Sequence, residues 1–241
     1  LYRVGLAILP VWMGRYIEIV GEKSSESIAD TLINGIFGRV TGDAGSRFVI
    51  AIGQAIFLVL FLILYGDCIA ARPRIGAVYF FSRISNRKKW ILKEFVWLLF
   101  YSVLYTFCFV GMHMIFSIWG SSEANLSGTL FKVAFQIGLF LTLLLFEMAV
   151  LCNLFCAAGG SAIGILLSML CVIGLIMWST AEVDGVVSEM INPMWLSADI
   201  IENGGSYIQK IIIVFLQTAI CAVGTGYYLA KRDLFAREGE G

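Results

Sequence analysis

Long apolar runs alternate with short polar segments along the whole chain, and the runs are of membrane-crossing length. A helical span needs about 20 mostly apolar residues. The pattern predicts six of them, at about residues 1–20, 48–71, 94–119, 129–157, 160–179 and 207–230. The first is interrupted by Pro10 and Arg15 and follows Arg3, and the fourth is long enough to require tilt. The runs are too long and unbroken for barrel strands, so the expected fold is all-α, a single membrane domain of six helices over residues 1–241.

The polar segments carry the topology. Residues 72–93 hold Arg72, Arg74, Arg83, Arg87, Lys88, Lys89 and Lys93 and no acid. Lys231, Arg232 and Arg237 close the sixth run. Residues 180–206 contain Glu182, Asp184, Glu189, Asp199 and Glu202 without any Lys or Arg. Basic segments are retained on the cytoplasmic side. The basic loop 72–93 and both termini are therefore expected in the cytoplasm, with 21–47 and 180–206 as outer loops. Within the first outer loop, Ser27 to Phe37 places Ile28, Leu32, Ile33 and Phe37 on one face, and Ser27 with Asp30 resembles a capping box. A short surface helix is expected there. GSSEANLSG at 120–128 reads as a turn, and AAGGS at 157–161 as a tight reversal.

Composition agrees with this picture. Apolar residues make up 59% of the chain and charged ones 14%, where a soluble domain carries about a quarter. Mean hydropathy is +0.88. The 17 basic and 17 acidic residues cancel, which gives no general pull toward nucleic acid. All six cysteines fall inside apolar runs, so no disulfide framework is expected. Cys152 and Cys156 lie one turn apart, but the one histidine, His113, is on another run, and packing explains the pair better than a metal. The chain opens on LYRVGLAILPVW, which reads as the later part of a helix with its start upstream, and no small-residue cleavage pattern marks a signal peptide.

Polar residues inside the runs are the candidate functional groups. Lys132, Gln136, Glu147 and Asn153 fall within a sector of roughly 120° on the fourth helix, at about 100° per residue. A charged carboxylate at the depth of Glu147 costs about 3 kcal/mol or more unless it finds a partner or is neutral. Gln136, Glu147 and Asn153 could line a pathway, or they could make bonds between helices. Lys132 can snorkel outward, Asp67 can pair with Arg72 or Arg74, and His113 reads as packed or interfacial. Gly160, Gly164 and Ser168, and separately Ala222, Gly226 and Ala230, form small-residue stripes for close helix packing, within the chain or between subunits. There is no phosphate-cradling G-x-x-x-x-G-K-[ST] motif, and one histidine cannot furnish an intramembrane metalloprotease. Ser161 has no histidine on the sixth run to serve it. The expected class is not an enzyme.

The second run ends in YGDCIAAR, an amphipathic segment IGAVYFFSRISNRKKW follows at residues 75–90, and a third run then begins. This order resembles the type 2 ATP-binding-cassette exporter permeases, whose first intracellular loop carries a coupling helix ending in a small-residue-Arg-x-x-x-Arg pattern. Here that pattern is Ser82, Arg83 and Arg87, continuing into Lys88, Lys89 and Trp90. RISNRKKW is especially similar to the small permease subunits of bacterial peptide and lantibiotic-immunity exporters. The similarity covers the six-span plan, though its specific part is about 25 residues long. Asn192-Pro193-Met194-Trp195 falls where that family folds short re-entrant helices, and the outer segment 21–47 is longer than the minimal pattern. The resemblance implies a bacterial plasma-membrane permease exporting a hydrophobic or amphipathic cargo such as an antimicrobial peptide. It implies as partners a cytoplasmic ATPase dimer, which would hold the ATP and magnesium, and a second permease subunit. Tyr79, Phe80 and Phe81 would plug a cleft on the ATPase, rimmed by Arg83, Arg87, Lys88 and Lys89. Lipid attraction accounts for the lysines alone, at about 1 kcal/mol per residue near the surface, but not for the aromatic trio beside them.

Two other classes stay open at this stage. One is a non-transporting membrane sensor or scaffold whose acidic outer loop binds a ligand or a partner protein. The other is a secondary carrier using Glu147, against which weighs the lack of detectable inverted repeats and of broken helices.

Overall fold

The computed structural model describes residues 32, 36, 44–70, 87–120, 128–180, 192–193, 201 and 204–231, and these are helical or connect helices, with no strand among them. Five helices follow in order: α1 Ala44–Tyr65, α2 Arg87–Gly120, α3 Gly128–Gly159, α4 Ser161–Thr180 and α5 Gly204–Lys231. Four of them, α2 to α5, are long and apolar enough to cross a membrane. Along their apolar stretches these helices bury polar side chains such as Ser102, Gln136, Glu147, Ser168 and Thr218 and leave large apolar side chains outside, including Phe107, Ile163, Leu170, Ile220 and Val223. Water would reject such a surface, whereas lipid accepts it.

The bundle is built around α3, which packs against each of the other four helices. Burial covers 67% of its apolar stretch, against 33% for α2 and 22% for α4 and α5. At 32 residues it is about 48 Å long, so it must tilt in, or project from, hydrocarbon about 30 Å thick. The reversal from α3 to α4 takes one residue: Gly160 has φ of +98°, a left-handed conformation that glycine adopts without penalty. Its N–H reaches the Cys156 carbonyl at 2.9 Å, while the Gly164 N–H reaches the Gly160 carbonyl at 2.9 Å. A Cβ on Gly164 would come within 2.3 Å of the Cys156 backbone nitrogen, so the hairpin closes only over a glycine. Gly164, Ser168, Val172 and Ile176 form the buried ridge of α4.

The remaining contacts set helix directions. Phe57, Phe61 and Tyr65 of α1 meet Phe109, Tyr105 and Tyr101 of α2, with Phe57–Phe109 and Tyr65–Tyr101 ring centroids 4.1 and 4.9 Å apart. Rising numbers on one helix meet falling numbers on the other, so this pair is antiparallel. The α3–α5 pair is parallel: Tyr207 donates to the Gln136 carbonyl at 2.9 Å and Thr218 reaches Glu147 at 3.3 Å, both across 71 residues of sequence. On α5, Gly226 packs on Phe95 of α2. Both small-residue stripes thus have members in contacts within the chain.

Helix ends lie close to the sequence expectations for α3, α4 and α5. Two boundaries differ. The second run breaks earlier than expected, at Gly66, whose N–H still bonds to the Leu62 carbonyl at 2.7 Å before the chain turns at residues 66–67. The third helix begins at Arg87 and not at Glu94, so Arg87, Lys88, Lys89, Trp90 and Lys93, expected in the loop 72–93, form its first turns. The reason is local: residues 87–93 contain no Gly or Pro, and Ile91 packs into the core with Glu94 one turn on. The first predicted run at 1–20 and the coupling residues Tyr79, Phe80, Phe81 and Arg83 lie outside the described residues. In the predicted surface helix only Leu32 and Ile36 are described; both are helical and buried.

Candidate functional site

The groups with chemistry to offer lie on the seam between α3 and α5. The buried face of α5 reads Tyr207, Lys210, Val214, Thr218, Thr225 and Leu229, at helical spacing, with Cys221 half-buried among them. This inward face is polar, and the opposite face is Ile, Phe, Leu and Val. From α3 the seam receives Gln136 and Glu147, which are 8% and 5% exposed.

Glu147 is held by α5. The Thr218 hydroxyl stands 3.3 Å from one carboxyl oxygen and 2.8 Å from the Val214 carbonyl, so its single proton serves one of them at a time. The Cys221 thiol stands 3.9 Å from the other oxygen. Lys210 is fully buried on the same face of α5. Its ammonium donates to the backbone carbonyl of Asn192. Asn192 is itself buried, and its side-chain amide donates to the Leu175 carbonyl at 3.1 Å. These two bonds tie residue 192 to both α4 and α5. Further along, the Gln136 side-chain oxygen and the Thr225 hydroxyl are buried with no hydrogen-bond partner among the described residues.

The expected stripe of Gln136, Glu147 and Asn153 does not form one line. Gln136 and Glu147 face α5, while Asn153 faces α1. The Asn153 side-chain oxygen accepts from the Ile69 and Ala70 N–H groups at 2.9 and 3.2 Å, and its nitrogen donates to the Ala149 carbonyl at 2.8 Å. It caps the backbone freed by the break after Gly66, a break seated against Cys152 of α3. Lys132 is exposed. His113 is buried with its ring edge-on to Phe109, centroids 4.7 Å apart. The Cys152 and Cys156 sulfurs lie 3.9 Å apart inside the α3–α4 crossing; no group of three or more metal-binding side chains occurs among the described residues.

Sequence reading missed Lys210, Thr218 and Cys221. A signal was present: Lys210 opens the apolar run of the last helix and shares its helical face with Thr218 and Thr225. Of the residues expected to couple to an ATPase, the described ones gather on the first turn of α2, with Lys88 and Lys89 exposed and Arg87 and Trp90 partly covered. Compared with known proteins, the chain matches no family model, no curated protein and no solved structure.

Proposed function

We propose that the chain is a permease subunit of an ATP-binding-cassette exporter, with six spans, both ends in the cytoplasm of a bacterial cell, and ATP hydrolysis in a separate subunit. The observation that supports this reading is the gathering of basic charge and helix ends at one end of the bundle. The Asn153 bond to Ile69 and Ala70, just past the end of α1, and the Gly226 contact with Phe95 bring together that end of α1, the last turns of α3 and α5 and the first turns of α2. That end carries Arg87, Lys88, Lys89, Lys93 and Lys231. The segment between α1 and α2, with Tyr79, Phe80, Phe81 and Arg83, starts and finishes there, as a coupling loop would have to do. An ATPase pushing on that segment would act directly on α1 and α2, whose aromatic rings interlock, and tilt them together.

Glu147 fits this reading as a tie between α3 and α5 within one subunit, since both of its oxygens meet α5 and little of it is exposed. The test is Arg83→Glu combined with Arg87→Glu in proteoliposomes holding the permease and its co-purified ATPase. Transport is expected to fall at least tenfold while thermal unfolding of the membrane domain stays unchanged. Unaltered transport in that double variant, or failure of any ATPase to co-purify, would sink the proposal.

A further inference from the structure

The outward face of α2 begins basic and continues apolar on the same side of the helix. Lys88, Lys89 and Lys93 are exposed on its first turns, followed by Leu92, Val96, Trp97, Phe100, Val103 and Phe107. At about 100° per residue all of these occupy roughly half of the helix circumference, and the buried side runs through Ile91, Glu94, Leu98, Ser102 and Tyr105. Glu94, the one acid among residues 87–120, is 4% exposed and faces the bundle, so the lysines share their side of α2 with no carboxylate of that helix.

The dimensions match one leaflet. From Val96 to Phe107 the apolar strip rises about 17 Å, close to half of a hydrocarbon core about 30 Å thick. Trp97 lies where the lysines give way to the strip, 44% exposed, its ring 5.9 Å from Phe100 and 6.1 Å from Tyr101. Indole at that level has its apolar body in the chains and its N–H near the headgroups. Tyr101 in turn stacks on Tyr65 of α1, which fixes the floor of the surface.

We infer that this face of α2 is a binding site for an anionic phospholipid, its phosphate held by Lys89 and Lys93 and one acyl chain lying along Val96, Phe100, Val103 and Phe107. An acidic protein surface would answer the lysines but not the apolar strip directly below them; a lipid answers both. The site shares Lys89 with the proposed ATPase contact, but Lys93, Trp97 and the strip take no part in that contact, so Lys93→Gln tests the lipid site apart from it.

The experiment uses the full chain purified from bilayers containing equal amounts of phosphatidylglycerol and phosphatidylcholine, with retained lipid read by native mass spectrometry. The wild-type chain is expected to retain phosphatidylglycerol preferentially. Lys89→Gln with Lys93→Gln is expected to lower that preference about fivefold per lysine removed. Lys93→Arg, which keeps the charge, should preserve it, as should Lys231→Gln on α5. Circular dichroism of each variant establishes that the helices are intact, and Lys93→Gln alone serves if the double variant fails to fold. Equal retention of the two lipids by the wild-type chain would overturn the inference. So would an unchanged preference in the glutamine variants, or an equal drop in Lys231→Gln.

Discussion

At the scale of single residues, polar side chains in this bundle work against backbone as much as against one another. Asn153 is the clearest case. Its oxygen serves two N–H groups exposed by the end of α1, at 2.9 and 3.2 Å. Away from water, each buried donor left unsatisfied costs about 1–3 kcal/mol. Asn153→Leu fills the same space without the acceptor and should lower stability by about 2–4 kcal/mol, read as an earlier unfolding midpoint in a denaturant titration of the detergent-solubilised chain. Glu147 makes the opposite prediction. Glu147→Gln keeps an acceptor for Thr218, so stability should be close to wild type and so, under the proposed permease function, should ATP-driven transport. Loss of a proton-driven, ATP-independent flux in that variant would establish the carrier reading in place of the tie between α3 and α5. Gly164 and Ser168 share a ridge but not a role. Gly164→Val would push a side chain into the Cys156 backbone, 2.3 Å from where a Cβ would stand, and the hairpin should fail to close. Ser168→Ala removes a 2.8 Å bond to the Gly164 carbonyl of its own helix, a loss of about 1 kcal/mol or less in the same titration.

At the scale of elements, the faces of α5 offer a direct test. A side chain on Gly226 would meet Phe95 at 3.4 Å, whereas nothing lies within 4 Å of one on Gly224. Glycine inside a helix costs about 0.5–1 kcal/mol relative to alanine. Gly224→Ala should therefore leave stability unchanged or raise it slightly, and Gly226→Leu should lower it by about 1–3 kcal/mol through overpacking against α2. A reversed ranking would mean that α5 is rotated about its axis. The helices themselves were legible in the sequence because twenty-residue apolar runs have few alternative structures. α3, α4 and α5 begin and end within a few residues of the predicted bounds. The start of α2 was not legible, because hydropathy marks where lipid begins and not where helical hydrogen bonding begins. Arg87, Lys88 and Lys89 are good helix formers that happen to be polar. The partners of the candidate site were legible only in half. Glu147 and Gln136 announce themselves as polar residues in an apolar run, but a one-helix stripe cannot tell which neighbour each residue faces. Asn153 therefore separated from the other two once α1 was in place.

At the scale of the whole molecule, contacts inside the bundle and the charge pattern constrain topology independently. The parallel course of α3 and α5 follows from two bonds sharing one sequence offset, and the antiparallel course of α1 and α2 from their rings. With Gly226 of α5 seated on Phe95 and Ile91 of α2, packing alone puts the start of α2 and the end of α5 at the same end of the bundle, whichever way the bundle faces. The positive-inside rule then predicts that this end faces the cytoplasm, since it carries Arg87, Lys88, Lys89, Lys93 and Lys231. Single cysteines at Lys88, Thr129 and Lys231, each in a chain whose native cysteines are replaced, separate the two claims. A membrane-impermeant maleimide applied to intact cells should label the Thr129→Cys variant and spare the other two, which should react only after permeabilisation. If Lys88→Cys and Lys231→Cys labelled from opposite sides, the packing itself would be refuted. If they labelled together from outside, the packing would stand and the orientation would be inverted. The basic end would then face away from any cytoplasmic ATPase, and the permease reading would fall with it.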